Sequence, residues 1–179
     1  MSRIRVTGGD WRSRLIQVPD TPGLRPTPDR VRETLFNWLG QQLDGKTCLD
    51  LFAGSGALGF EARSRGAAQV TLVEHDRRAM QALRDNAKAL GMDSLEFLET
   101  DAMPLLSREQ RRFDVIFLDP PFHKALLPLL FPLLENRLTP DGKVYAESEK
   151  PLEVFKDWQI WREGRAGNVF FYLLTREVS

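Results

Sequence analysis

Cysteine, histidine and long apolar runs are what this 179-residue chain has least of: one Cys, two His and nothing near the roughly 20 consecutive apolar residues of a membrane span. A lone Cys48 forms no internal disulfide and supplies neither a zinc cluster nor a redox pair, so it is expected as a small buried apolar residue. The opening MSRIRVTGGDW lacks the apolar core of a secretory signal. A reducing, cytoplasmic setting is expected, with neither a membrane nor a metal as partner. Excess charge of one sign is also missing, because 25 basic residues face 25 acidic ones and the net charge is zero. No overall field announces a polyanionic partner. With 42% hydrophobic and 28% charged residues the composition is that of an ordinary globular domain, which excludes disordered, collagen-like and membrane classes.

The distribution of charge says more than its sum. From Met1 to Arg32 there are seven arginines (Arg3, Arg5, Arg12, Arg14, Arg25, Arg30 and Arg32), three acids (Asp10, Asp20, Asp29) and no lysine. Guanidinium groups suit bidentate phosphate contacts and stacking on bases, so this arm is a candidate nucleic-acid footprint; a solvated surface is the alternative.

Alternation in RIRVT and RLIQV around the turn chemistry of GGD predicts an N-terminal β-hairpin. After the connector PDTPGLRPTP, Thr27 as N-cap and Pro28 at the first helical position predict a helix from about Pro28 to Leu43, with Val31, Leu35, Trp38, Leu39 and Leu43 on its buried stripe. From Lys46 onward strand candidates TCLDLF, QVTLVE, SLEFLE, FDVIFLD and KVYAES alternate with helical stretches ALGFEARSRG, RRAMQALRDNAKALG and KALLPLLFPLLENRL, the first two ending at Gly66 and Gly91. This order predicts an α/β fold with a mostly parallel sheet and right-handed crossovers. WQIWRE and NVFFYLLTRE, separated by GRAG, predict a terminal antiparallel hairpin. One domain is expected, with residues 1–44 as a hairpin-and-helix extension that meets RNA and 45–179 as the cofactor-binding core.

The most informative run is DLFAGSGALG, where the first core strand turns into a helix, the place where open α/β sheets bind ligands. Gly54, Gly56 and Gly59 satisfy the G-x-G-x-x-G spacing of dinucleotide sites as well, so the loop alone does not name its cofactor. Phe52, Ala53, Gly54, Ser55 and Gly56 would bring backbone close to it. Glu74 ends the next strand, about 20 residues after the first glycine, where a carboxylate accepts from two ribose hydroxyls. Asp50 suits a cationic amino-acid group and repels a pyrophosphate, unless it only caps the loop. Asp101, in ETDA with Ala102, is placed to accept from an adenine amine or to cap a helical turn. His75, beside Glu74, lines the ribose side or is simply an exposed loop residue.

After the fourth strand comes Asp119-Pro120-Pro121-Phe122. The prolines fix φ and remove two backbone donors, leaving a stiff corner that presents the Asp119 carboxylate and carbonyl oxygens together. An amine conjugated to a base is a poor nucleophile. If the Asp119 carboxylate and the Pro120 carbonyl accept its N–H groups, its lone pair turns toward a sulfonium methyl, and orientation does the catalysis. Phe122 offers a face for base stacking. His123 and Lys124 are candidates for phosphate contact.

In these residues the chain resembles the class I methyltransferases that carry a (D/N)PP(F/Y) amine-targeting motif. With GGDWRSRLI, RPTPDRVRETLFN, LDLFAGSGALGFEARSRGA and DPPF together, it is similar to the bacterial small-subunit ribosomal RNA guanine-N2 methyltransferases, the RsmD family. The resemblance implies a Rossmann-like seven-stranded sheet and S-adenosyl-L-methionine as methyl donor. It further implies guanine 966 of 16S rRNA, in the assembling or assembled small subunit, as acceptor. Cofactor contacts at Asp50, Gly54, Glu74 and Asp101 and catalytic roles for Asp119 and Phe122 follow from it. Ser13 replaces an expected glycine of the hairpin, and Phe122 a commoner tyrosine. A monomer is expected. Other readings are a DNA adenine N6 or protein-glutamine methyltransferase, an NAD-dependent oxidoreductase that leaves DPPF unused, and a non-enzymatic RNA-assembly protein.

Overall fold

Strand Gln69–Glu74 is buried at every position from Val70 onward, the pattern of a central strand covered on both faces. Around it the computed structural model describes residues 2–22, 24, 26–121, 125–153 and 155–177. Strands β1 (Ser2–Arg5) and β2 (Leu15–Val18) pair as the expected antiparallel hairpin, followed by helix α1 (Asp29–Trp38). The core runs β3 (Thr47–Asp50), α2 (Ala57–Ser64), β4 (Gln69–Glu74), α3 (Arg77–Leu90), β5 (Leu95–Glu99), α4 (Ala102–Arg108), β6 (Phe113–Leu118), α5 (Leu127–Leu134) and β7 (Leu138–Ser148). A hairpin of β8 (Trp158–Ala166) and β9 (Val169–Arg176) completes it.

Among the described residues the sheet has seven strands in the order β5-β4-β3-β6-β7-β9-β8, parallel through β7 and antiparallel at β9 and β8. The order reverses between β3 and β6, so the crevice outside their carboxyl ends is where this topology places a ligand. One face packs Phe60, Val70, Leu83, Phe117 and Tyr145 under α1, α2, α3 and the N-terminal hairpin. The other packs Ile116, Leu130, Phe131, Leu134 and Val144 under α4 and α5. Full burial of such side chains stabilises by about 1.5–3 kcal/mol each.

Several boundaries differ from the sequence expectation. Helix α1 stops at Trp38 because Gly40 takes a left-handed φ of 93°, although Leu43 is still buried. Thr27 does not cap α1: the residue before the helix is Pro28, and the buried Thr27 hydroxyl donates instead to Glu147 of β7. ETDA opens a full helix, α4, rather than a single turn. Strand β7 begins at Leu138, five residues before KVYAES, with a shifted register near Phe113. The terminal hairpin turns at Gly167-Asn168, because GRA still belongs to β8.

The N-terminal hairpin is fastened to the core by one buried carboxylate. Glu61 of α2, fully inaccessible, accepts from the Thr7 and Gly8 amides at 2.9 and 3.0 Å, from Arg32 Nη1 at 3.0 Å and from Arg65 Nε at 2.8 Å. The hairpin tip rests on the last turn of α2, where the Asp10 amide donates to the Ser64 carbonyl at 2.8 Å. Trp11 Nε1 donates to the Leu90 carbonyl at the end of α3.

Candidate active site

Five carboxyl side chains stand in a row across the carboxyl edge of the sheet, one per strand in spatial order: Asp101 after β5, Glu74 on β4, Asp50 on β3, Asp119 after β6 and Glu147 on β7. Neighbouring strands lie about 4.8 Å apart. Strands β3 and β6 are paired with Asp50 opposite Phe117, so the Asp119-Pro120-Pro121 corner leaves the sheet directly beside the glycine turn. Pro120 is buried and Pro121 exposed.

The glycine turn is built for close packing. Gly56 adopts φ 86° ahead of α2, and a Cβ on Gly59 would sit 2.3 Å from Leu72 of β4, so only glycine lets this helix lie so near the sheet. Three amides at the turn and the start of α2 are already used: Gly56 donates to the Ala53 carbonyl, Ala57 to Ser55 Oγ and Gly59 to Asp50 Oδ2. A pyrophosphate needs such amides free. With Asp50 beneath them as well, the turn is ill suited to a dinucleotide.

Asp50 is 1% exposed, and while Oδ2 takes the Gly59 amide, Oδ1 is buried without a hydrogen-bond partner. Burial pushes its carboxyl up to about 7, the Gly59 amide pulls the other way, the charge of Glu74 adds to the rise and the nearby Phe52 amide again opposes it. An unpartnered buried acceptor of this kind suits a cationic amino group. Glu74 Oε1 accepts from the Gly54 amide at 2.9 Å and Oε2 from the Asp76 amide at 2.8 Å, each oxygen keeping a lone pair for a hydroxyl. His75 is exposed, its Nδ1 3.4 Å from Glu74 Oε2. Asp101 occupies the N-cap position of α4 without a side-chain cap bond and is exposed, and Ala102 is buried behind it. Phe52 and Gly54 are half-buried, Ala53 and Ser55 buried. These residues fit an S-adenosyl cofactor.

The model of the family described as Conserved hypothetical protein 95 matches residues 4–175. Ribosomal RNA small subunit methyltransferase D of Escherichia coli is 45% identical over 182 residues, covering 99% of this chain and 92% of that protein. The chain belongs to this methyltransferase family. Its Haemophilus influenzae relative of the same name is 42% identical over 178 residues, covering 95% and 92%. The solved yhhF protein of Escherichia coli superimposes with a TM-score of 0.89 at 44% identity, covering 99% of this chain and all of that one.

Family membership does not by itself say which arginines face a nucleic acid, and the structure divides them. Arg3 and Arg5 on β1, Arg12 and Arg14 at the hairpin tip and Arg30 on α1 are exposed. Arg32 is not: its guanidinium is wholly buried, bonded to Glu61, Asp29 and the carbonyls of Arg5 and Thr27, so the expectation that it meets RNA is corrected. The tip also lies at the α2 and α3 ends remote from the glycine turn, which separates Arg12 and Arg14 from the proline corner. Arg25, Phe122, His123 and Lys124 lie outside the described residues.

Three residues at the site escape a reading of the sequence: Thr27, Tyr145 and Glu147. Glu147 is 6% exposed and its Oε1 accepts from the Tyr145 hydroxyl at 2.6 Å and from Thr27 Oγ1 at 3.1 Å. Their signal is Tyr145 and Glu147 two apart in KVYAES, on one face of the strand, with the apolar Val144 and Ala146 on the other.

Proposed function

We propose that the protein transfers a methyl group from S-adenosyl-L-methionine to the exocyclic N2 amine of a guanine in small-subunit ribosomal RNA. Guanine 966 of 16S rRNA is the acceptor the family resemblance implies. The observation that carries this reading is the parallel β3–β6 pairing, which sets the proline corner beside the glycine turn.

Bound S-adenosylmethionine supplies an electrophilic methyl on a sulfonium. Asp50 would hold its amino group, Glu74 its ribose hydroxyls with His75 alongside, and Asp101 with Ala102 its adenine, while Phe52 to Gly56 would form the floor. Beside that floor the Asp119 carboxyl and the Pro120 carbonyl accept the two amine N–H groups, which aims the lone pair at the methyl. Phe122 stacks on the base for about 1–3 kcal/mol, and a base held in a helix is first swung out. Arg3, Arg5, Arg12, Arg14, Arg25 and Arg30 are proposed to contact RNA phosphates.

Asp119→Ala tests the reading. It should abolish transfer of labelled methyl to ribosomal RNA while calorimetry shows cofactor affinity within about twofold of wild type; near-normal transfer would remove the proposed chemistry. Offering naked 16S rRNA, immature particles and finished subunits in parallel identifies the acceptor form.

A further inference from the structure

The fifth carboxyl of the row has no part in that methyl transfer, yet it is the most closely held. The β6–β7 register aligns Leu118 with Ala146, so the next positions across are Asp119 and Glu147. Two hydroxyls, Tyr145 at 2.6 Å and Thr27 at 3.1 Å, donate to the same Glu147 oxygen, which fixes the side chain in place. Asp119 and Glu147 stand side by side on neighbouring parallel strands, about 4.8 Å apart. Two carboxyls this close and partly withdrawn from water do not both stay ionised, so one keeps a proton. Glu147 already accepts two hydroxyls, which leaves Asp119 as the member that holds it.

The electrostatics agree with the geometry. Burial raises Asp119 well above the usual carboxylate range, and the Glu147 charge and hydrogen bond raise it further; Asp50 of β3 pushes the same way, and the Thr27 hydroxyl from the connector opposes them. Burial and Glu147 likewise hold the Tyr145 phenol protonated.

We propose that Asp119 meets its substrate as a neutral acid and that Glu147 is its positioning residue and proton acceptor. This rests on the methyltransferase reading. A neutral Asp119 accepts an amine N–H through its carbonyl oxygen while its O–H points at Glu147, which locks the carboxyl rotamer. As the N–C bond forms, the S–C bond breaks with its electron pair remaining on sulfur, and the amine nitrogen becomes cationic. One of its protons passes to the Asp119 oxygen facing it, and Asp119's own proton moves along the existing bond to Glu147. The products are a neutral methylamine, a neutral thioether and two neutral acids, of which the pair returns one proton to water when the site opens. A single isolated aspartate has no such second acceptor.

Two measurements test this. The infrared difference spectrum of wild type minus Asp119→Asn, both cofactor-free at neutral pH, should show a carboxylic acid C=O band distinct from that of Asp50, and the band should shift in Glu147→Gln, which changes the partner of the Asp119 O–H. Single-turnover methyl transfer should slow at least tenfold in Glu147→Gln, with KM for RNA and affinity for the cofactor within twofold of wild type, and Glu147→Asp should recover part of the rate. Absence of the band in the wild type, or a wild-type rate in Glu147→Gln, overturns the proposal. If Glu147→Gln does not fold, the wild-type band and its loss in Asp119→Asn decide the matter. A wild-type rate in Glu147→Gln beside an inactive Asp119→Ala removes only the proton acceptor, whereas an active Asp119→Ala removes the methyltransferase corner itself.

Discussion

Arg32 and Glu61 meet at 3.0 Å with neither side chain exposed to solvent, an ion pair sealed between the first helix and the cofactor-loop helix. Removing one partner of such a pair leaves a buried charge uncompensated, at a cost of about 3–5 kcal/mol. Arg32→Met and Glu61→Leu should therefore each lower the urea midpoint strongly. The double variant should recover part of the loss, because no guanidinium then faces an apolar side chain, although Arg65 and the Thr7 and Gly8 amides still lose their acceptor. A loss in the double variant equal to the sum of the two single losses would show that the pair is uncoupled.

Cofactor binding should release a proton. Asp50 titrates near pH 7 in the free protein, raised by burial, and an amino group at its unpartnered oxygen favours the charged form. Between about pH 4 and 7 the folded state thus holds a proton that the unfolded chain has lost, so this group's contribution to stability declines as pH rises through that window. The Kd for S-adenosylmethionine should rise by up to about tenfold per pH unit below 7, and binding enthalpy at pH 6 should depend on buffer ionisation. In Asp50→Asn that dependence should vanish and affinity fall by about 1.5–3 kcal/mol, the value of a charge-assisted hydrogen bond.

Gly9 takes φ 84° against α2, and a Cβ there would lie 1.9 Å from the Ser64 carbonyl oxygen. Gly9→Ala should detach the hairpin tip, destabilise by more than about 1 kcal/mol and increase amide exchange at Asp10 and Trp11. Unchanged exchange would place the hairpin's anchorage elsewhere.

Replacing exposed arginines should flatten the salt dependence of RNA binding, the slope of log affinity against log salt shrinking by about 0.7–0.9 for every phosphate that is no longer neutralised. Paired variants at Arg3 and Arg5, and separately at Arg12 and Arg14, report whether the strand, the tip or both touch RNA. The buried Arg32 should act through stability alone.

What is legible in the sequence is local. Gly54, Gly56 and Gly59 lie within six residues of one another, and Asp119-Pro120-Pro121 is contiguous, so each motif carries its conformation in its own chemistry. The alternation of strands and helices then places both at one end of the sheet, as the β3–β6 pairing has it. Glu147 is illegible for the opposite reason: its partner Thr27 is 120 positions away, and only the folded sheet brings them together. Thr27 itself reads convincingly as a cap because local patterns do not reveal a distant acceptor. Arg32 misleads although its signal is present. It stands three and four positions before Leu35 and Phe36, inside the buried stripe of α1, and counting it with the exposed arginines lets composition override periodicity.

The attachment of Trp11 to the far end of α3 carries a consequence for what the enzyme can grip. Fourteen helical residues stretch about 21 Å, so the hairpin tip and the proline corner look out from opposite rims of the molecule. A short oligonucleotide reaches one rim or the other. On the proposed function, a partner that engages both is a folded object with its own breadth, and its shape would then help to choose which base arrives at Asp119.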